Sequence, residues 1–109
     1  MSEYISEFHS NEDIIREYAA PEDALDGAEV LLAWYGYGFY YGSSFVLFLR
    51  DGKLYEVNGN HCSGSGLEAQ WSPEETSWAA LKMRKLDTDC ESGAEAQAIL
   101  NDLIVLYTN

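Results

Sequence analysis

Basic residues are scarce in this chain of 109 residues, which holds six lysines and arginines against nineteen aspartates and glutamates. The formal net charge is −13 at pH 7. Such an excess of negative charge repels nucleic acids and anionic membranes, and it attracts basic protein surfaces. The shortage of bases therefore argues against direct binding of nucleic acid and predicts a basic protein as the partner.

Cysteines and long apolar runs are also few. The two cysteines, Cys62 and Cys90, are too few for a disulfide framework and indicate reduced thiols, with one Cys62–Cys90 bridge as the alternative. The apolar runs at 30–35 and 45–49 fall far short of the ~20 residues that span a bilayer. The first residues lack the basic and apolar regions of a secretory signal. We therefore expect a cytoplasmic protein that does not contact membranes.

The acids that are present are concentrated at the two ends. Residues 1–49 carry nine acids and one base, and residues 86–109 carry five acids and no base, while residues 50–85 carry five of each. Most acidic surfaces only keep a protein soluble. The sharper interpretation is a carboxylate surface that competes with nucleic acid for a basic groove, because DNA carries one charge per ~1.7 Å of axis. A mimic of that kind needs the acids on one face.

Apolar runs and turn signals predict one α+β domain over residues 1–109, with an antiparallel meander of three or four strands. Asp51-Gly52 is typical of a type I′ hairpin turn, and Asn58-Gly59 predicts a second turn of the same kind. The expected strands are residues 28–35, 43–50, 53–57 and 60–62.

Capping signals predict three helices, which we expect to pack on one face of the sheet. Ser10 precedes a weak apolar pattern over 11–19. Ser72 with Glu75, and Ser92 with Glu95, have the spacing of a capping box, in which side chain and backbone satisfy each other reciprocally.

The adjacent residues His61 and Cys62 raise the question of a thiol or metal site. Neighbours on a strand point to opposite faces, so His61 is badly placed to activate Cys62 as a nucleophile. A zinc ion would need further ligands, such as Cys90 and one carboxylate, at no recognisable spacing. We expect no catalytic residue, cofactor or metal. The alternative is a small metal- or thiol-dependent enzyme centred on His61, Cys62 and Glu68.

A partner-binding surface of acids and tyrosines is the leading prediction for the functional site. Tyrosine is enriched in protein interfaces, although the aromatic run at 34–41 could equally serve core and hairpin packing. The predicted binding residues are Glu12, Asp13, Glu17, Glu22, Asp23, Asp26, Tyr37, Tyr40 and Tyr41.

One stretch of the chain resembles a known group of proteins. Residues 54–63 read Leu-Tyr-Glu-Val-Asn-Gly-Asn-His-Cys-Ser, and residues 66–75 read Gly-Leu-Glu-Ala-Gln-Trp-Ser-Pro-Glu-Glu. Together they resemble a pattern shared by small, mostly uncharacterised bacteriophage proteins. That pattern often has a second cysteine where this chain has Gly64. The resemblance implies a phage origin and no known reaction.

Small acidic phage proteins are often inhibitors of host enzymes or defence complexes, including anti-CRISPR and anti-restriction proteins. The resulting prediction is a non-enzymatic inhibitor in the host cytoplasm. It would bind a basic surface of a nucleic-acid-handling host protein, such as a nuclease or CRISPR effector, with a homodimer as one open arrangement. A regulatory phage protein with an inert acidic surface is the other alternative.

Overall fold

A five-stranded sheet and three helices make up the fold in the computed structural model, which describes residues 3–6, 8–38, 41–62 and 66–108. The strands are β1 (Glu3–Ser6), β2 (Glu29–Tyr37), β3 (Tyr41–Arg50), β4 (Lys53–Cys62) and β5 (Glu74–Glu75). The helices are α1 (Asn11–Tyr18), α2 (Trp78–Leu81) and α3 (Gly93–Thr108). The strands lie side by side in sequence order. β1 runs parallel to β2, whereas all other neighbours are antiparallel. The predicted α+β class is confirmed, and the sheet is mostly antiparallel, but it has five strands and not three or four, because the unpredicted strands β1 and β5 pair along its two edges.

The meander from β2 to β4 follows from local turn chemistry. Asp51 and Gly52 adopt φ angles of 54° and 77°, the left-handed conformation that a type I′ turn requires. A bulge in β2 changes the register, because Val30 pairs with Phe48 while Leu32 pairs with Leu47. The extra residue is Leu31, so two consecutive leucines belong to the same side of the core.

The sheet is covered on both faces, not on the one face that the sequence suggested. Ile14 and Tyr18 of α1 pack against one face together with residues 66–71, and we call this side the α1 face. α2 and α3 pack against the other side, which we call the α3 face. Two covers are needed because β2 and β3 are apolar on both sides, and uncovered apolar surface costs free energy.

The second predicted turn is not formed, and β4 runs unbroken from Lys53 to Cys62. Gly59 lies inside the ladder and pairs with Ser44. A side chain at Gly59 would come within 3.0 Å of Leu67 and 3.1 Å of the Tyr18 hydroxyl. This glycine therefore allows close packing of the α1 face and does not serve a turn.

The helix predicted after Ser72 is also wrong in its position. Glu74 and Glu75 form β5 instead and pair with Glu56 and Tyr55 of β4. The short helix α2 begins only after Ser77, whose hydroxyl accepts a hydrogen bond from the Ala80 backbone N–H at 3.1 Å. Backbone pairing with the edge of β4 thus outweighs the local capping signal.

The other two predicted helices are present. Ser10 caps α1 as expected and accepts from the Asp13 backbone N–H at 3.4 Å. α3 begins at Gly93, but Ser92 before it has a φ of 61° and not the extended conformation of an N-cap. Within the described residues, none of the helices combines the length and apolar character needed to cross a bilayer.

Candidate functional site

The acidic ends of the chain lie on opposite faces of the sheet. Residues 8–29, which include α1 and the turns after it, contain seven acids and one arginine, a net charge of −6. Residues 78–108, which cover the α3 face, contain five acids and three bases, a net charge of −2. The two acidic regions therefore do not merge into one surface, and the α1 face has the denser charge.

Asp13 differs from the other predicted binding acids because the fold uses it. Its carboxylate accepts a hydrogen bond from the His9 backbone N–H at 2.8 Å and pairs with the Arg16 guanidinium at 2.5 Å. The His9 bond, followed by the Arg16 bond, lowers the pKa of Asp13 below its ordinary value. Asp13 thus stabilises the first turn of α1, and both of its carboxylate oxygens already have partners within the protein.

Most of the remaining acids of this region are exposed to solvent. Glu12 on α1 is exposed, and Glu17 is half-buried beside Arg16 at 3.7 Å. The turns after α1 are held against the sheet by Arg50, whose guanidinium donates to the Ala24 carbonyl oxygen at 2.8 Å. Three further exposed acids lie on those turns, namely Glu22, Asp23 and Asp26.

The predicted tyrosines do not form one cluster. Tyr37 is 43% exposed and its ring meets that of His61 at 5.4 Å on the α1 face. Tyr41 is 47% exposed and lies on the α3 face, where the charge of Asp87 raises the pKa of its phenol. Tyr40 lies outside the described residues. Of the predicted binding tyrosines that the structure describes, Tyr37 shares a face with the acids of α1 and Tyr41 does not.

His61 and Cys62 project to opposite sides of β4, as strand alternation predicts. His61 is buried, stacks on Tyr35 with ring centroids 4.3 Å apart, and donates from Nε2 to the Gly36 carbonyl oxygen at 2.8 Å. The ring is therefore part of the core on the α1 face. Cys62 is exposed on the other side, so the two side chains do not form a nucleophile–base pair.

Both thiols are free in the structure. Burial, followed by the neighbouring Asp87, raises the pKa of the Cys90 thiol, whereas Cys62 is exposed. Across the described residues, no group of three or more histidine, cysteine, aspartate or glutamate side chains is arranged to hold a metal ion. Glu68, which the enzyme alternative would require, is an exposed residue beyond the end of β4.

A buried ion pair that the sequence did not reveal lies on the α3 face. Glu56 is 2% exposed, and its two carboxylate oxygens accept from Arg84 Nε at 2.7 Å and Nη2 at 3.0 Å. Burial alone would raise the pKa of Glu56. Hydrogen bonds from Arg84, Thr76 and Asn58 outweigh burial, so the pKa lies below its ordinary value. The pair anchors the segment after α2 to the sheet.

A polar pocket of about 300 Å³ opens next to this ion pair on the α3 face. Its polar side chains come from two neighbouring strands and from the segment between α2 and α3, over a floor that includes Trp34 and Phe45. The sequence signal was the alternation of polar residues along β4, which the predicted Asn58-Gly59 turn concealed. The polar lining residues are Ser43, Asn58, Asn60, Lys85 and Asp87, together with Ser44, whose hydroxyl bonds to Tyr18.

No protein-family model, curated protein or solved structure matches the chain. Its candidate functions therefore rest on two features of its own geometry, the acidic surface of the α1 face and the polar pocket of the α3 face.

Proposed function

We propose that this protein is a non-enzymatic inhibitor that binds a basic, nucleic-acid-handling surface of a host protein through its α1 face. The observation that carries the proposal is the net charge of −6 on residues 8–29, against −2 on the segment covering the other face. We further propose a phage origin, supported by the resemblance of residues 54–75, and a defence nuclease or CRISPR effector as the target.

The arrangement of the acids supports electrostatic recognition. Exposed charges act over roughly 8 Å at physiological ionic strength, so the acids of α1 and its following turns act together on a nearby basic groove. Opposite charge across an interface mainly speeds association and makes it sensitive to salt. Tyr37, which is half-exposed on the same face, offers an aromatic anchor beside the charged surface.

Two matched variants test the proposal, because they change the net charge equally at different places. One removes the charge of five acids on the α1 side: Glu12→Gln, Glu17→Gln, Glu22→Gln, Asp23→Asn and Asp26→Asn. The control neutralises five exposed acids elsewhere: Glu74→Gln, Glu75→Gln, Asp89→Asn, Glu95→Gln and Asp102→Asn. Asp13 is left unchanged because it holds the first turn of α1.

The immobilised wild type and both variants are incubated with nuclease-treated bacterial lysate, and retained proteins are identified by mass spectrometry. We expect the wild type and the control to retain nucleic-acid-binding proteins that elute between ~50 and ~500 mM salt. Elution is expected because the distance over which charges interact shortens as the salt concentration rises. The α1-side variant should lose them, and added DNA should displace them from the wild type.

An inert acidic surface, the alternative of a regulatory phage protein, predicts that both variants retain the same proteins as the wild type. If a partner is retained but neither added salt nor added DNA releases it, the proposed electrostatic mimicry of nucleic acid is contradicted.

A further inference from the structure

The two edges of the sheet differ in how well they are protected against pairing with another strand. At one edge, β5 consists of two exposed glutamates that follow a proline. Short length, charge and proline are the features by which proteins block an exposed edge. At the other edge, β1 has four residues, no proline and one charged side chain, Glu3. Among the described strands, β1 has a neighbour on one side only, so its outer side is the edge that suits a further strand.

Helix α3 lies over the part of the sheet that ends in β1. It packs against β2, the neighbour of β1. The segment after α2 lies towards the opposite edge, because Arg84 in this segment pairs with Glu56 of β4. Ile5 of β1 is 6% exposed although it belongs to an edge strand, and it shares an apolar cluster with the buried residues of α3. The helix therefore reaches over β1.

The side of α3 that faces the β1 edge carries a stripe of apolar side chains. Gln97 marks the other side, because its side-chain oxygen accepts from the backbone N–H of Leu86 in the segment after α2 at 2.7 Å. Three apolar residues with the spacing i, i+4 and i+7 are turned away from Gln97 by about 120° or more, at about 100° per residue. We call them the α3 stripe: Ile99 and Leu103, which are half-buried, and Leu106, which is 69% exposed.

The edge and the α3 stripe fit a second copy of this chain. When two β1 strands pair in antiparallel order, the residues that oppose each other project to the same face. On the α3 face, β1 presents Glu3 and Ile5. A register that opposes Ile5 to Glu3 would bury a carboxylate, which costs free energy, whereas Ile5 opposite the Ile5 of the second copy forms an apolar pair beneath the stripes. Each copy thus contributes the same strand and the same stripe, as an isologous interface requires.

The sparse charge of this region favours a second copy over a basic foreign partner. β1 and α3 together contain three acids and no base, whereas residues 8–29 carry a net charge of −6. A basic protein is therefore attracted mainly to residues 8–29. Apolar surface gains free energy when it is covered, and a second copy covers the stripe with the same apolar residues.

We propose that two copies of this chain pair through β1 and the α3 stripe, so that their two sheets join into one. The strands pair in antiparallel order with Ile5 opposite the Ile5 of the second copy. The two-fold axis is then perpendicular to the sheet, and both acidic surfaces of residues 8–29 face the same way. The inference does not rest on the proposed inhibitor function, because dimerisation is measured on the protein alone.

Sedimentation of the full chain between ~1 and ~300 µM, at ~50 and ~500 mM salt, tests the proposal. We expect a monomer–dimer equilibrium with a dissociation constant of about 10–100 µM, because a short edge and one side of a helix make a small interface. The dimer should be severalfold tighter at the higher salt concentration, because screening weakens the repulsion between two copies of charge −13.

Hydrogen exchange locates the interface within the dimer. Residues 3–6 should exchange more slowly at concentrations where the dimer predominates, because the second strand accepts hydrogen bonds from the outer N–H groups of β1. Exchange at Glu74 and Glu75 of β5 should not depend on concentration, since that edge stays free.

Two neighbouring substitutions on α3 form a matched pair. Leu106→Lys lies in the α3 stripe, and we expect about tenfold weaker dimerisation because a charge replaces covered apolar surface. Val105→Lys is the control, at a side chain that is 58% exposed and turned only about 80° from Gln97. It should dimerise like the wild type. Both changes lower the negative charge equally, so added repulsion cannot explain a difference between them.

The proposal is overturned if the protein stays monomeric at ~300 µM in ~500 mM salt, or if salt weakens the dimer, as contact between opposite charges requires. Unchanged exchange at residues 3–6 on dimerisation would contradict pairing through β1. Dimerisation of Leu106→Lys as tight as that of the wild type, or an equal loss in Val105→Lys, would exclude the α3 stripe. Protection of residues 3–6 by a different protein, with no dimer, would assign the edge to a foreign strand.

Discussion

The helices that cover the α1 face and the α3 face of the sheet differ in length and in the residues that they expose. α1 is eight residues long and sharply two-sided, with Ile14 and Tyr18 buried and exposed acids outside. α3 is sixteen residues long and apolar on more than one side, so Val105 and Leu106 remain 58% and 69% exposed. The short helix therefore presents charge to its surroundings, whereas the long helix presents apolar surface at its C-terminal end.

The two faces also differ beneath their helices. The α1 face is filled by interlocking rings, among them Phe8, Tyr18, Tyr35 and Trp71, with centroid distances of 5.3 to 6.4 Å between neighbours. The α3 face combines a mainly aliphatic cluster with a buried ion pair and an open pocket. The same sheet thus carries an aromatic core beneath its more strongly charged side and a mainly aliphatic core with an open pocket on the other side.

The largest expected effect is on the α3 face, where Arg84→Met would leave the buried Glu56 carboxylate without its cation. Breaking a buried pair from one side costs about 3–5 kcal/mol, and we expect about 2–3 kcal/mol here because Arg84 is itself partly exposed. Urea unfolding at pH 7 measures the loss. The control Lys82→Met, at an exposed cation in the same segment, should change the unfolding free energy by less than about 0.5 kcal/mol.

The pH dependence of the same variant distinguishes a charge effect from lost packing. Because the pKa of Glu56 is depressed in the folded state, its stabilisation is present above the unfolded value near 4.3 and is lost as pH falls through the folded value. The wild type should therefore lose more stability than Arg84→Met on acidification. Parallel curves for the two proteins between pH 6 and pH 3 would contradict the ion-pair account.

Substitution of two phenylalanines of β3, one on each face, allows the packing of the two faces to be compared. Phe45 and Phe48 are both fully buried, but Phe48 stacks on Tyr55 and Trp71, while Phe45 lines the pocket. We expect Phe48→Leu to cost about 2 kcal/mol and Phe45→Leu about 1 kcal/mol, because only Phe48 loses two ring contacts. Urea unfolding of both proteins tests the order, and equal losses would show that the ring contacts of Phe48 add nothing to the stability of the α1 face.

Local sequence signals identified those elements that local chemistry determines. Asp51-Gly52 was found because a type I′ turn needs φ > 0 at both residues. Asn58-Gly59 carries the same signal, yet its glycine serves contacts with Tyr18 and Leu67, which are far away along the chain. No local pattern contains that information.

The site was predictable to a similar extent. The acids of the α1 face and the opposite directions of His61 and Cys62 followed from composition and strand alternation. The Glu56–Arg84 pair joins residues 28 positions apart, and the pocket needs Ser43, Asn60 and Asp87 brought together by three segments. Both depend on tertiary packing, so a single sequence did not show them.

The next effect concerns the α1 face, where the buried Tyr18 hydroxyl donates to Ser44 Oγ at 2.8 Å. Tyr18→Phe should cost about 1 kcal/mol, because it leaves the Ser44 oxygen without this donor. Burial raises the pKa of Tyr18 to about 12. The folded state therefore holds this proton more tightly than the unfolded state, and wild-type stability should fall as pH rises from about 10 towards 12.

Thermal unfolding at several pH values checks both parts of this prediction. Tyr18→Phe should lose part of the alkaline decline, so its stability deficit should shrink above pH 10. Tyr41→Phe, at an exposed tyrosine on the other face, serves as the control, and at neutral pH its stability should equal that of the wild type. A Tyr18→Phe protein with the full wild-type decline above pH 10 would show that another group titrates there.

The smallest expected change in stability concerns the two cysteines. Cys90 lies in the interior on the α3 face, whereas Cys62 lies on the outer surface of the same side. Cys90→Ala removes a buried sulfur and should cost about 1 kcal/mol, whereas Cys62→Ala at an exposed position should stay within about 0.5 kcal/mol. A thiol reagent at pH 8 should label Cys62 quickly in the folded protein. Cys90 should react only in denaturant, because burial raises the pKa of its thiol and blocks access. Fast labelling of both thiols without denaturant would mean that the segment between α2 and α3 opens readily, and the pocket wall that it forms would then not be preformed.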